Sequence, residues 1–481
     1  MSWFPEPVSP RDTVLLRILG TADLHGELLR QVPALERTMD SLGADCDCPT
    51  LRLDAGDALQ GGLLANATAG RASVAALDRL AYAAAVPGHR DFDWSADTLR
   101  RRVGESGRLW VAANLFDSTT GRRPEWIAPY GIVQGAGLRV AVIGYITPDT
   151  KTSQPGERTR GLRFGSGELA LHEVLAEVRR TRPDLTILLA HEGAACDSVV
   201  CDGELIRLAE ELDGSGVDLV IAGHSSRVVD ARVGGMAVVG PDGGGTIAVV
   251  DVVKTAAGGR ALRARVERVA PGAASPALAA ALSPLVRRTD SLLQRAVAQL
   301  KRPLGREEGR GALGTLVAEA RRNAARADLG LVRTAALAAD LPAGAVTYAR
   351  LAQVEPAAAD LVVVTLTGTQ VRDLLEQALA GAGTPGVYLA GATVRYDPAA
   401  KPGRRVKSIA LAGGRKLRAE DSYTLVTDDG SAAGGGGLDA LRGRPTQRRG
   451  MIDVEAVAAY LRRLPQPVEI DAATAFTSSR R

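Results

Sequence analysis

The chain holds five histidines, and four of them, His25, His89, His191 and His224, fall just past the end of a run that reads as a β-strand. Asp23 and Asp57 occupy matching places after their own runs. Neutral imidazoles and carboxylates brought together suit divalent transition metals such as zinc, manganese or iron. A lone histidine at a strand end is most often a polar surface residue, so the reading rests on the set and not on any one member. His172, inside a helical stretch without such companions, takes the plainer explanation.

The runs that must position these groups are short and apolar on both faces: Val14 to Leu19, Leu51 to Leu53, Ala81 to Val86, Val140 to Ile146, Leu185 to Leu189 and Val217 to Ile221. Between them, Leu169 to Arg180 and Gly203 to Leu212 carry apolar residues at helical spacing. Strands alternating with helices predict an α/β layer architecture, in which ligands bind beyond the carboxyl ends of the strands. An Ala/Gly/Pro-rich passage, Thr255 to Pro276, and a helix from Pro276 to Gln299 read as a connector. A second α/β block begins near Leu304, with strands expected at Leu361 to Leu366, Val406 to Leu411 and Tyr423 to Thr427. The expected domains are 1–265, a linker with its helix 266–302, a second domain 303–472 and a frayed tail 473–481.

At 481 residues the chain exceeds the roughly 250 to 300 that one core serves, so two domains are expected. Hydrophobic residues make up 46% and charged residues 24%, the profile of a soluble globular protein. A net charge of +4, scattered along the chain, carries no nucleic-acid footprint. No run of about 18 apolar residues could span a membrane, and the first twenty residues lack the pattern of a secretory leader. Cys46 with Cys48 and Cys196 with Cys201 suit local disulfides or inert thiols equally well, and neither pair has the partners of a structural zinc site.

Five ordered motifs carry a resemblance: Asp23-Leu-His25, Leu53-Asp-Ala-Gly-Asp57-Ala-Leu-Gln-Gly61, Gly88-His-Arg-Asp-Phe-Asp-Trp94, Ala190-His191-Glu-Gly and Ala222-Gly-His224. Together they resemble the calcineurin-like metallophosphatases, and more closely the bacterial 5′-nucleotidases. Gly311-Ala-Leu-Gly-Thr-Leu-Val-Ala, Leu341 to Tyr348 and Leu366 to Glu376 are similar to that family's C-terminal domain. The resemblance implies a metallophosphatase β-sandwich flanked by helices, followed by an α/β substrate domain. It implies two divalent ions (Mn, Zn, Co or Fe) bridged by Asp57, one held by Asp23 and His25, the other by His89, His191 and His224. A hydroxide between the ions would attack phosphorus in line in a small phosphorylated substrate, an ester or anhydride, with no nucleic-acid or membrane partner. Relatives are usually periplasmic or extracellular; this sequence shows no leader, so the location stays open.

The departures from the family pattern are as informative as the matches. Its Gly-Asn-His-Glu/Asp reads Gly88-His89-Arg90-Asp91 here. His89 remains a competent ligand, and the sulfur-oxidation branch of the family carries a similar replacement. Arg90 stands where the family has a histidine that, oriented by the equivalent of Asp93, stabilises the transition state and protonates the leaving group. Arginine cannot yield a proton near neutral pH but can clamp phosphate oxygens, so Arg90 and Asp93 are the expected catalytic pair, with Arg90 also contacting substrate. The family's Gly-His-x-His reads Gly223-His224-Ser225-Ser226, which predicts weaker binding at the ion sharing Asp23 and His25.

In the second block the nucleotide-gripping stretch aligns with Arg333 to Ala338, where the family's arginine is Ala338. The base-sandwiching aromatics have no counterpart in Pro356-Ala357 or in Asp428-Asp429-Gly430. Arg333 and Asp428 are the groups left there to touch substrate. Three readings follow: a phosphohydrolase of 5′-nucleotidase type acting on an unusual substrate, an ordinary nucleotidase whose changes are compensated by other residues, or an impaired or non-catalytic relative serving as a binding module.

Overall fold

The computed structural model describes residues 12–479, apart from 27, 29–30, 155, 197–199, 271, 308–310, 356–358, 381–383 and 471–474. The chain divides into two compact units, residues 1–287 and 288–481.

The first unit stacks two six-stranded sheets. One runs in the order Arg260–Arg268, Thr246–Lys254, Thr13–Thr21, Thr50–Asp54, Ala84–Ala85, Leu109–Trp110. Its last four strands are mutually parallel. The other runs Val229–Val233, Met236–Gly240, Leu219–Ala222, Leu185–His191, Leu138–Ile146, Tyr130–Gly135, with a parallel centre of four. Successive side chains of a strand point to opposite faces, and this sorts the residues of the second sheet. Leu185, Ile187 and Leu189 join Leu16, Ile18, Leu53 and Ile247 in one buried cluster between the sheets. Leu188 and Ala190 face the other way, onto Leu171, Val174 and Leu175 of the helix Gly167–Arg180 and Leu205 and Leu208 of Glu204–Glu211. Both faces are therefore covered, which is why these runs are apolar throughout rather than alternating.

The elements differ from expectation in four places. The run expected at Ala81 to Val86 is a strand only over Ala84–Ala85, because Ala81 takes a left-handed backbone (φ 54°) that no strand admits. Arg260–Arg268, inside the stretch read as connector, is an edge strand antiparallel to Thr246–Lys254. Its arginines give it the charged character that protects exposed sheet edges. The helix expected to reach Gln299 ends at Leu293, and Ala296–Leu300 pairs as a strand with Gly344–Thr347. Within the tail expected to fray, Phe476–Ser478 pairs with Ala392–Tyr396, and burial of Phe476 fixes it there.

The second unit has a five-stranded sheet in the order Val387–Ala390, Leu329–Arg333, Ser422–Asp428, Asp360–Thr367, Thr446–Ile452. The helices Ala312–Ala325 and Asp453–Arg463 pack together over one cluster, and Gly368–Ala378 contributes to another. Arg321 is buried among Glu355, Asp428 and Asp453, with nearest N–O distances of 2.7, 3.1 and 3.8 Å. Cys46 is bonded to Cys48, and Cys196 to Cys201. No helix among the described residues is long and apolar enough to cross a membrane.

Candidate metal centre

Five parallel strands, from both sheets, end at one rim. Asp23 and His25 follow Thr13–Thr21, Asp57 follows Thr50–Asp54, His89 follows Ala84–Ala85, His191 closes Leu185–His191, and His224 follows Leu219–Ala222. The loops are stitched to one another through the backbone: Asp23 N donates to Gly56 O at 2.8 Å and His25 N to Asp57 O at 2.9 Å. Asp23, His25, Asp57, His224 and Ser226 all sit at positive φ, between 45° and 80°. A left-handed non-glycine residue costs on the order of 1–3 kcal/mol, and such strain concentrates at functional sites. Two glycines permit the close approach. A side chain at Gly88 would meet Asp57 Oδ1 at 2.1 Å, and one at Gly56 would meet His191 Nδ1 at 2.7 Å.

The six expected ligand residues converge as two triads, His89, His191 and His224 in one and Asp23, His25 and Asp57 in the other, each with donor atoms within 4.8 Å of one another. Asp57, a member of the second, also reaches the first. Its Oδ2 lies 3.0 Å from His89 Nδ1 and 3.3 Å from His191 Nε2. His89 Nδ1 in turn lies 3.1 Å from His191 Nε2 and 3.2 Å from His224 Nδ1. Imidazole nitrogens crowded this closely cannot all satisfy one another as donors and acceptors, whereas a cation satisfies every lone pair at once. The buried Asp57 Oδ2 has no other hydrogen-bond donor. The residues thus fit one site of nitrogen donors sharing a carboxylate and another richer in oxygen.

Proton equilibria tell the same story. Burial works against protonation of His191, yet the adjacent Asp57 carboxylate overrides it and lifts the imidazole to about 10. Burial also opposes ionisation of Asp57, but His191 and His89 outweigh it and hold the carboxyl well below its usual range. Burial pushes Asp23 up to about 7, opposed by His191 and by N–H groups of His224 and Ser226. The pocket therefore calls for positive charge, and a metal ion competes with protons for it.

A supporting layer holds the first. His191 Nδ1 bonds Ala55 O at 2.8 Å, fixing Nε2 toward Asp57. Asp23 accepts from His224 N at 3.1 Å and Ser226 N at 3.4 Å, tying the first motif to the fifth. Asp57 Oδ1 accepts from Arg90 N at 2.7 Å. Asp91 accepts from Asp57 N, Gly88 N and Leu59 N at 3.1, 2.8 and 2.8 Å, joining the second and third motifs. Arg90 is buried at the rim, with Nη1 3.4 Å from His25 Nδ1 and Nε 4.0 Å from Asp93 Oδ2. The two expected catalytic residues therefore lie together and beside the oxygen-rich triad. His172 is exposed on its helix and belongs to neither triad.

Residues 16–227 match the family model described as calcineurin-like phosphoesterase, and residues 295–443 match that of the 5′-nucleotidase C-terminal domain. The chain is a calcineurin-like phosphoesterase domain followed by a 5′-nucleotidase C-terminal domain. A 5′-nucleotidase of Vibrio vulnificus is 23% identical over 521 residues, covering 95% of this chain and 92% of the relative. The endonuclease YhcR of Bacillus subtilis is also 23% identical, across 96% of this chain, which spans only 40% of that longer protein. The solved structure of the NAD nucleotidase NadN of Haemophilus influenzae shares the fold, with a TM-score of 0.68, 16% identity and coverage of 97% of this chain and 100% of that one. Dependence on metal ions at paired sites is general for the phosphoesterase domain.

In the 5′-nucleotidase C-terminal domain the two expected substrate residues differ. Arg333 is partly exposed, its Nε donating to Ser431 Oγ at 2.8 Å and its stem lying along the glycine run at Gly436. Asp428 is buried, and its carboxylate accepts from Ser431 N, Ser431 Oγ and Arg321 Nη1 at 2.8, 2.9 and 3.1 Å. It caps the short helix Asp429–Ala432 and is paired with Arg321. Pro356-Ala357 lies outside the described residues. Asp91 and Gln154 were not legible as site residues. Asp91 sits inside a motif whose spacing could have flagged it, while nothing near Gln154 in the sequence does.

Proposed function

We propose that the chain is a divalent-metal-dependent phosphohydrolase whose preferred substrates carry good leaving groups, a phosphoanhydride or an aryl phosphate rather than a nucleoside monophosphate. The observation that carries this reading is Arg90, buried beside two triads that meet at Asp57, in the place where the family has its proton donor. Divalent ions held by the two triads would supply Lewis acidity and activation of a water. The guanidinium of Arg90 binds equatorial phosphoryl oxygens as a two-pronged donor and offsets charge that builds on them. It transfers no proton. A nucleoside alkoxide leaves poorly without one, whereas an aryl oxide or a phosphate leaves readily. Burial of Asp428 and the absence of aromatic residues at 356–357 and 428–430 support weak nucleoside binding, since stacking on a base is worth roughly 1–3 kcal/mol.

The manganese-loaded protein should hydrolyse an activated aryl phosphate with a kcat at least about 10²-fold above that for a nucleoside 5′-monophosphate, the lower end of what general acid catalysis contributes. Steady-state kinetics on both substrates checks this, and comparable rates contradict it. If metal binds fully and no phosphoester turns over, the reading as a binding module without turnover takes its place.

A further inference from the structure

Gln154 is buried, 4% exposed, and its side-chain nitrogen donates to Asp93 Oδ1 at 2.6 Å and to the main-chain oxygen of His89 at 2.9 Å. Both protons of that nitrogen are thereby used. It reaches the site from a remote part of the chain, just after the short helix Thr150–Ser153. The two accepting atoms bracket the single helical turn Arg90–Phe92 that presents the Arg90 side chain.

We propose that Gln154 is a positioning residue: it fixes Asp93 and the backbone of His89, and through them holds the Arg90 guanidinium where a substrate phosphate meets it. This rests on the phosphohydrolase reading. The amide takes Asp93 Oδ1, and the other carboxylate oxygen lies 4.0 Å from Arg90 Nε, while Nη1 of the same guanidinium lies 3.4 Å from His25 Nδ1. An amide suits the place because it donates without adding charge. A lysine or arginine there would compete with Arg90 for Asp93, and a carboxylate would repel it. The same nitrogen anchors the peptide of His89, so one side chain sets both the carboxylate behind Arg90 and the turn on which Arg90 rides.

Gln154→Met keeps the volume and removes both donors; Gln154→Glu keeps the shape and places a carboxylate against Asp93. Binding of inorganic phosphate to the manganese-loaded protein, by calorimetry, and kcat and KM for an aryl phosphate should be compared in wild type, both variants, Asp93→Ala and Asp93→Ala/Gln154→Met. Gln154→Met should weaken phosphate binding by about 10- to 100-fold, what loss of a hydrogen bond to a charged group costs, and Gln154→Glu by more, at manganese concentrations that keep the bound ions per chain equal to wild type. In the Asp93→Ala background the same substitution should cost at least about threefold less than in the wild-type background, because the part of its effect that runs through Asp93 is already gone and only the anchor on His89 is left to lose. Equal losses in both backgrounds, or wild-type phosphate affinity in Gln154→Met, would overturn the proposal. A wild-type protein that binds phosphate but turns over no ester sinks the enzymatic reading alone, since the affinity cycle still reports on Gln154; one that binds no phosphate sinks both.

Discussion

Asp57→Asn is expected to empty the metal centre and take the hydrolysis rate with it. The substitution is nearly isosteric and keeps an oxygen for Arg90 N, which now bonds Asp57 Oδ1 at 2.7 Å, so the third motif stays in place. What it removes is the charge and the acceptor that faces His89 and His191 at 3.0 and 3.3 Å. In its place stands an amide N–H₂ pointing at imidazole nitrogens. Outer partners of metal ligands already cost about 10- to 100-fold in affinity or activity when lost, and Asp57 is a member of one triad whose carboxylate also lies against two histidines of the other. Loss of more than about 10²-fold in turnover of an aryl phosphate, together with fewer bound ions per chain, is the outcome to look for by rate assay and elemental analysis. Retention of two ions and a rate within tenfold of wild type would remove Asp57 from the role given to it.

Arg90→His is the second large effect, and its direction is a gain. Asp93 already stands 4.0 Å from the Arg90 side chain, and Gln154 holds it at 2.6 Å, so an imidazole placed at position 90 would find its orienting carboxylate waiting. Histidine changes charge between about pH 5 and 8 and can protonate an alkoxide. A positioned general acid contributes about 10²- to 10⁴-fold, and most of that falls on poor leaving groups. The variant should therefore raise kcat on a nucleoside monophosphate by about 10²-fold or more. Turnover of an activated aryl phosphate should change by less than about tenfold. Equal gains on both substrates, or none on either, would mean that the missing proton donor is not what limits this site.

How much of this was legible in the residues follows from where the chemistry sits. Asp23, Asp57, His89, His191 and His224 could be read because each follows a parallel strand, and a parallel sheet gathers its strand ends at one rim. The rim draws on two sheets, and the sandwich was expected on resemblance alone; apolar runs say that a strand is covered on both faces without saying by what. The charged edge strand Arg260–Arg268 was hidden in an Ala/Gly/Pro-rich passage, since pairing partners of an edge are set by tertiary context. Gln154 was invisible for another reason: a buried amide has no periodicity, and its contacts with His89 and Asp93 cross more than sixty residues of chain. The ion pair of Asp428 was equally hidden, since its partner Arg321 comes from a helix 107 residues away.

The most direct test of the account is a titration of chelator-stripped protein with manganese, following bound ions per chain and aryl phosphate hydrolysis in the same samples. Ser226, where the family has a histidine, leaves the triad of Asp23, His25 and Asp57 the poorer in nitrogen. The account predicts no hydrolysis without metal, uptake of two ions in steps of unequal affinity, and turnover that rises with the second. Full activity in the stripped protein, or two ions bound with no hydrolysis of any phosphoester, would contradict it.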